Sequence, residues 1–81
     1  MKARAGKVRI GIVGCGAIGS RIARSIENDL DKNCQLTGLY DINQDRAKKL
    51  ATELHSQRIV QQTITEVIDN CDIMVEAVSA K

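Results

Sequence analysis

At 81 residues the chain holds at most one small domain, near the lower limit for a self-sufficient hydrophobic core. It is 43% apolar and 27% charged, and the apolar part is almost entirely Ile, Val, Leu and Ala, with Tyr40 the one aromatic residue. A net charge of +2 with no aromatic stacking platform argues against nucleic acid as a partner, and Lys2, Arg4 and Lys7 read as a solvated tail.

Val8 to Val13 (VRIGIV) reads as a buried strand that Gly14 stops. This apolar stretch is broken by Arg9 and is too short for a signal-peptide core or a membrane span, so no membrane association is expected. From about Ala17 the pattern changes: Ile18, Ile22, Ile26 and Leu30 recur every four residues, which predicts a helix with these aliphatics along one side. Asp29, Asp31, Lys32 and Asn33 make the following turn. Gln35 to Tyr40 (QLTGLY) is the second predicted strand, ending at Asp41.

A second helix is expected from about Gln44 to His55, N-capped by Asn43, with Ala47, Leu50, Ala51 and Leu54 inward. Arg58 to Gln61 is a weak third strand. Thr63 and Glu66 have the spacing of a capping box, predicting a short helix to about Asn70, and Asp72 to Val78 (DIMVEAV) is the fourth strand. The order β-α-β-α-β-α-β is that of an α/β protein with a doubly wound parallel sheet. Right-handed crossovers would arrange the strands 3-2-1-4.

The chemistry lies in Gly14-Cys15-Gly16-Ala17-Ile18-Gly19, a G-x-G-x-x-G run between a predicted strand and an amphipathic helix. Gly14 allows the sharp turn, Gly16 lets backbone approach a pyrophosphate, and Gly19 permits close helix–strand packing. Unpaired N–H groups near Ala17 and Ile18 would face the phosphates, aided by the helix dipole. Asp41, about twenty residues further on, is placed to accept hydrogen bonds from the adenosine ribose. Together these predict a Rossmann-type site for NAD. The Asp41 carboxylate would repel a 2′-phosphate, favouring NAD over NADP, although Arg46 and Lys48 could reach such a phosphate; as simply read, they are exposed helix residues.

At the end of the fourth strand, Ala77 and Ser79 would lie on the nicotinamide side, and Glu76 could point into the crevice or pair with another part of the protein. Cys15 could have a lowered thiol pKa at a helix N-terminus, but reads more simply as a small filler. His55 reads as a surface residue at a helix end, and Cys71 as buried. Three cysteines without a C-x-x-C pair indicate neither a disulfide framework nor a metal site, and a reduced, cytoplasmic setting is expected.

The runs VRIGIVGCGAIGSRIA, LYD and above all DIMVEAVS resemble the N-terminal domain of L-aspartate dehydrogenases, whose fourth strand closes with a V-E-A-x-S element matched by Val75 to Ser79. The resemblance implies oxidative deamination of L-aspartate to iminoaspartate with NAD or NADP, feeding NAD biosynthesis. It also implies cofactor contacts from Gly14, Gly16, Ala17, Ile18, Gly19, Asp41, Ala77 and Ser79. The family's catalytic histidine and substrate residues belong to a later domain, so none is matched here. Residues 1–81 are expected to be a partial cofactor domain, inactive alone, of a longer enzyme that binds its small-molecule substrate elsewhere and could form a homo-oligomer. Other readings of the same opening are a Gfo/Idh/MocA-type dehydrogenase, which usually has a Thr-Pro-Asn-like turn that this proline-free chain lacks, a homoserine dehydrogenase, a dihydrodipicolinate reductase, or a non-catalytic NAD-sensing module.

Overall fold

The computed structural model describes residues 6–78. Ser79, Lys2 and Arg4, on which sequence expectations fall, lie outside them. The elements are β1 (Val8–Val13), α1 (Ala17–Asn28), β2 (Cys34–Tyr40), α2 (Gln44–Glu53), α3 (Ile64–Asp69) and β3 (Ile73–Glu76), with a 3₁₀ turn at Gln57–Ile59. The strands form one parallel sheet in the order β2-β1-β3.

One face of the sheet carries α1 and α2. Their Ala23, Ile26, Ala47, Leu50 and Ala51 pack with Ile12, Leu36 and Leu39 in one buried cluster. The burial of α1 differs from the predicted stripe: Gly19, Ala23 and Ile26 face inward, Ile22 is half-buried, and Ile18 and Leu30 are exposed. A spacing of four residues advances about 40° beyond a full helical turn, so a stripe of four such residues winds off the buried face at both ends. Leu30 also lies past the end of α1, in the turn.

Helix α2 begins as expected, with the Asn43 side chain accepting from the Asp45 N–H at 3.1 Å. It ends earlier than predicted, because His55 takes a left-handed conformation (φ 57°) and Ser56 N–H bonds back to the Ala51 carbonyl. His55 is exposed, as expected.

The predicted third strand is corrected. Residues 57–59 form the 3₁₀ turn, and only Val60 makes a parallel bridge, to Leu39, supported by Gln61 N–H donating to the Leu39 carbonyl at 2.8 Å. Ile59 and Val60 supply the packing that a strand would bring, and the chain then leaves the sheet for the cap of α3. The expected order 3-2-1-4 is therefore reduced to three strands, with a single bridge marking the outer side of β2. The fourth predicted strand is β3, shorter at both ends than Asp72–Val78.

Helix α3 covers the opposite face, so helices lie on both sides of the sheet. Thr63 Oγ1 accepts from Glu66 N–H at 3.1 Å, while the Glu66 carboxylate accepts from Gln62 N–H rather than from the Thr63 N–H of a standard capping box. Val67 of α3 is fully buried over Gly11 of β1 and Gly38 of β2, which pair with each other just past a bulge at Thr37. A Cβ on Gly11 would lie 2.4 Å from Val67 Cγ1. Cys71, expected to be buried, is half-buried beside the same spot.

At the other end of the sheet Arg9 holds β1 to the start of β3. Its Nη2 lies 2.9 Å from Asp72 Oδ1, and its backbone N–H donates to Asp72 Oδ2 at 2.9 Å. These hydrogen bonds, side chain first, hold the Asp72 carboxyl below the usual carboxylate range. No helix among the described residues is long and apolar enough to cross a membrane.

Two outcomes follow from this packing. Gly11→Ala is expected to destabilise the fold by about 1–3 kcal/mol, the usual range for overpacking a tight site, read as a lower urea midpoint. For Asp72, a depressed folded-state pKa means that the stabilisation is present above the ordinary carboxylate pKa and is lost as pH falls through the lowered one. The stability advantage of the parent chain over Asp72→Asn should thus be visible at neutral pH and vanish in acid, in urea melts across that range.

Candidate functional site: the glycine loop and its cleft

The loop joining β1 to α1 is built by three contacts. Gly14 has φ +105°, a conformation that L side chains rarely adopt, and a Cβ there would meet the Ala77 carbonyl carbon and oxygen below 3.0 Å. Gly19 sits in the first turn of α1 directly against the Gly14 carbonyl, where a Cβ would fall 1.8 Å from the oxygen. Ala77 N–H donates to the Val13 carbonyl and Gly14 N–H to the Tyr40 carbonyl, so both neighbouring strands hold the turn.

Gly16 is different. A Cβ there would meet only the Arg46 guanidinium, at 3.8 Å, so its surroundings are otherwise open. Gly16 is also the N-cap of α1 and offers no side-chain oxygen. The first turn of α1 contains no acidic residue, whereas those of α2 and α3 contain Asp45 and Glu66. The N–H groups at Ala17 and Ile18 thus begin a helix whose positive end is left uncompensated.

Asp41 follows β2 and is 7% exposed. Its Oδ2 accepts from Cys15 N–H at 2.7 Å and its Oδ1 from Asn43 N–H at 2.8 Å. One carboxylate therefore ties the glycine loop to the entrance of α2. This structural duty is invisible in the motif spacing, and it leaves each oxygen with lone-pair capacity for a further donor.

Cys15 is buried, and its thiol contacts the Tyr40 carbonyl at 3.6 Å. Burial first, and the Asp41 carboxylate second, push the thiol pKa up to about 11, so the group stays protonated at neutral pH. The filler reading holds, and the lowered-pKa alternative is overturned.

A cleft of about 520 Å³ opens at the C-terminal ends of the strands. Gly14, Gly16, Ala17, Ile18, Asp41 and Ala77 line it together, as do Arg46 and Glu76; Gly19 lies beneath it as packing, against the Gly14 carbonyl. Its rim is aliphatic and exposed. Ile42 is 90% exposed, Val78 60%, Ile18 58% and Ile64 42%. These four were not marked by sequence pattern as site residues except Ile18, because the chain segments carrying Ile42, Ile64 and Val78 are distant in sequence and meet only in the fold. Among the described residues no three His, Cys, Asp or Glu side chains gather as a metal site.

An open helix N-terminus over a glycine turn, with a carboxylate at the end of the next strand, defines a Rossmann-type dinucleotide cleft at the switch point of a parallel sheet. Residues 8–80 match the Gfo/Idh/MocA oxidoreductase family with an NAD-binding Rossmann fold, and the chain belongs to that family. Its relatives include the L-aspartate dehydrogenases of Methanocaldococcus jannaschii, 39% identical over 74 residues, and of Methanosarcina barkeri, 34% identical over 74 residues. Each alignment covers 91% of this chain and 27% of the relative, so the chain spans about a quarter of their length. Among solved structures, GenD2 from gentamicin A biosynthesis in complex with NAD superposes with a TM-score of 0.78, at 22% identity, over 99% of this chain and 23% of that one. The UDP-N-acetylglucosamine 3-dehydrogenase of Acidithiobacillus ferrooxidans gives 0.75 at 24% identity, over 89% and 21%. At these identities the structures speak to the fold. The missing Thr-Pro-Asn-like turn thus did not place the chain outside the Gfo/Idh/MocA family, and the aspartate dehydrogenase resemblance is found within the same set of matches.

The contrast between two glycines tests the loop. In an ordinary helix Gly19→Ala would gain about 1 kcal/mol of propensity. Here the 1.8 Å clash with a backbone oxygen outweighs that gain, and the variant is expected to melt well below the parent. Gly16→Ala should melt close to the parent, because its Cβ enters open space. Thermal unfolding followed by circular dichroism checks both.

Proposed function

We propose that this chain supplies the cofactor cleft of an L-aspartate dehydrogenase, holding NAD while L-aspartate is oxidised to iminoaspartate by groups outside these 81 residues. The observation carrying the binding half is the cleft itself: an uncapped helix start at Gly16, free of acidic side chains, with the carboxylate of Asp41 across from it. The identity to aspartate dehydrogenases over nine-tenths of the chain supports the substrate.

In this reading the pyrophosphate lies over Gly16 and receives N–H donation from Ala17 and Ile18, with Gly14 and Gly19 fixing the turn beneath it. Asp41 uses its remaining lone pairs to accept from the adenosine ribose hydroxyls. The exposed Ile18, Ile42, Ile64 and Val78 give apolar surface to the adenine and to the ribose beyond the phosphates. Ala77 leaves room on the nicotinamide side, with Ser79 following it in sequence. When bound, NAD accepts the hydride that leaves the substrate carbon. This chain's part is to orient the dinucleotide and to exclude water from its phosphates.

Among the described residues, nothing lining the cleft has the makeup of a substrate site. Its charged side chains are Asp41, Arg46 and Glu76, and the one histidine, His55, is not among the lining residues. Hydride transfer needs the substrate held in contact with the nicotinamide and a group to take the proton. The 81-residue chain is therefore expected to bind NAD but to form no NADH from aspartate and NAD. Calorimetric titration with NAD and an absorbance assay for NADH separate the two. Gly16→Val should abolish binding with the far-UV spectrum preserved, since its side chain would occupy the space of the pyrophosphate. NAD binding by Gly16→Val equal to that of the parent would refute the phosphate-loop reading, and turnover by the chain alone would refute the division of labour.

A further inference from the structure

We infer that a polar hollow toward the strand starts, at the other end of the sheet from the dinucleotide cleft, is a binding site for a small hydroxy-carboxylic acid, held by Arg58 and a ring of carboxamides. It is independent of the dinucleotide reading, since no residue lines both openings.

The hollow exists because α3 is short. Ile10 of β1 and Leu36 of β2 pack toward α1 and α2, so their neighbours Arg9, Gln35 and Thr37 face the other side of the sheet. On that side α3 has six residues, and its Val67 sits over Gly11 and Gly38, further along the strands. Among the described residues no helix covers the sheet nearer the strand starts. Arg9 and Gln35, which pair in register, form a floor with Thr37. The 3₁₀ turn supplies Arg58 as one wall, Gln61 follows it, and Asn70 at the end of α3 closes the opposite side. The space is about 400 Å³, the scale of a site for an organic molecule and more than a lone inorganic ion fills.

Its charge calls for an anion. Two guanidinium groups line the hollow, and among the described residues no carboxylate does. Arg9 is paired with Asp72, which does not line the hollow, so its charge is balanced. Arg58 is exposed and makes no ion pair with a described residue. It supplies the uncompensated positive charge, and its planar fork matches the two oxygens of a carboxylate.

The remaining polar groups call for a hydroxyl. Asn70 Nδ2 donates to the Glu66 carbonyl at 2.8 Å, Gln61 Nε2 to the Ile59 carbonyl at 3.4 Å, and Thr37 Oγ1 to the Ile10 carbonyl at 3.4 Å. These bonds hold the walls and floor in place, yet each amide keeps a second N–H and its own oxygen, and the Thr37 oxygen can still accept. Gln35 makes no side-chain hydrogen bond to another described residue, and its amide adds a further donor and acceptor. A ring that both donates and accepts is only half answered by a bare oxyanion, which has acceptors alone. A hydroxyl beside the carboxylate answers both, and suits the place better than an ammonium, which the guanidinium groups would repel.

Calorimetric titrations and thermal melts of the 81-residue chain with malate, succinate and sulfate, each against sodium chloride of matched ionic strength, test the site. Malate is expected to bind and to raise the melting temperature with its concentration, succinate (which lacks the hydroxyl) to bind more weakly, and sulfate most weakly. Arg58→Gln should lower malate affinity by about tenfold or more, the scale of a lost charge-assisted hydrogen bond, and Arg58→Lys should retain part of it. Gln35→Glu keeps the shape of the floor but puts a carboxylate there, and should abolish binding by repulsion. Residues 35 and 58 are exposed, so both variants should melt with the parent when no acid is present. Gly16→Val, which fills the other cleft, should bind malate as the parent does. Loss of malate binding in Gly16→Val would move the site to the glycine loop and overturn the inference. Succinate or sulfate binding as tightly as malate, undiminished malate affinity in Arg58→Gln or in Gln35→Glu, or no effect of malate beyond that of chloride would each overturn it as well.

Discussion

The molecule is organised around the contact between the Gly19 Cα and the Gly14 carbonyl. With no Cβ at position 19, α1 starts close against the end of β1, and the 1.8 Å spacing to an added methyl shows how little slack exists. That closeness brings the first N–H groups of α1 to the mouth of the sheet and sets the tilt at which Ala23 and Ile26 reach Ile12 in the core. The same turn needs φ +105° at Gly14, which only glycine adopts without strain, and the Ala77 backbone presses on it from β3. Stability and binding geometry are therefore set by one cluster of backbone atoms.

Asp41 links that cluster to the second crossover. A buried carboxylate is tolerated because it is hydrogen-bonded, and its two N–H donors come from Cys15 in the loop and from Asn43, the residue that caps α2. Through Asn43 the entry of α2 is held at a fixed place relative to the loop. Burial, and after it the neighbouring negative charge, keeps the Cys15 thiol protonated, so the one cysteine in the glycine loop is a packing group. The carboxylate that sequence assigns to cofactor recognition is thus a structural tether, and its removal would disturb the loop and the start of α2 together.

Among the described residues the sheet is closed on one side and open on the other. On the β2 side, Val60 and Ile59 close the cluster with a single bridge and apolar packing in place of a full strand. On the β3 side, Ile73 and Met74 are exposed, at 52% and 37%. The Arg9–Asp72 clamp compensates in part, since it anchors the beginning of β3 to β1 where packing is thin.

Sequence by itself determined the parallel βα order, the strand at Val8–Val13, the N-cap at Asn43, the glycine turn and the acid after β2. Each of these depends on local backbone chemistry or on short-range periodicity: a positive φ, an orphan N–H group, or alternation within one element. Tertiary structure alone decided the rest. The stripe on α1 shifted from Ile18 and Leu30 to Gly19 and Ala23, because a helix set this close to the sheet buries its smallest residues. The segment 58–61 gave one bridge instead of a strand, since pairing depends on how far the chain runs beside β2 before the cap at Thr63 turns it away. Ile42, Ile64 and Val78 became one rim because segments remote in sequence meet at the ends of the strands. Such groupings have no one-dimensional signature, because the distances that create them exist only after the crossovers have folded back onto the sheet.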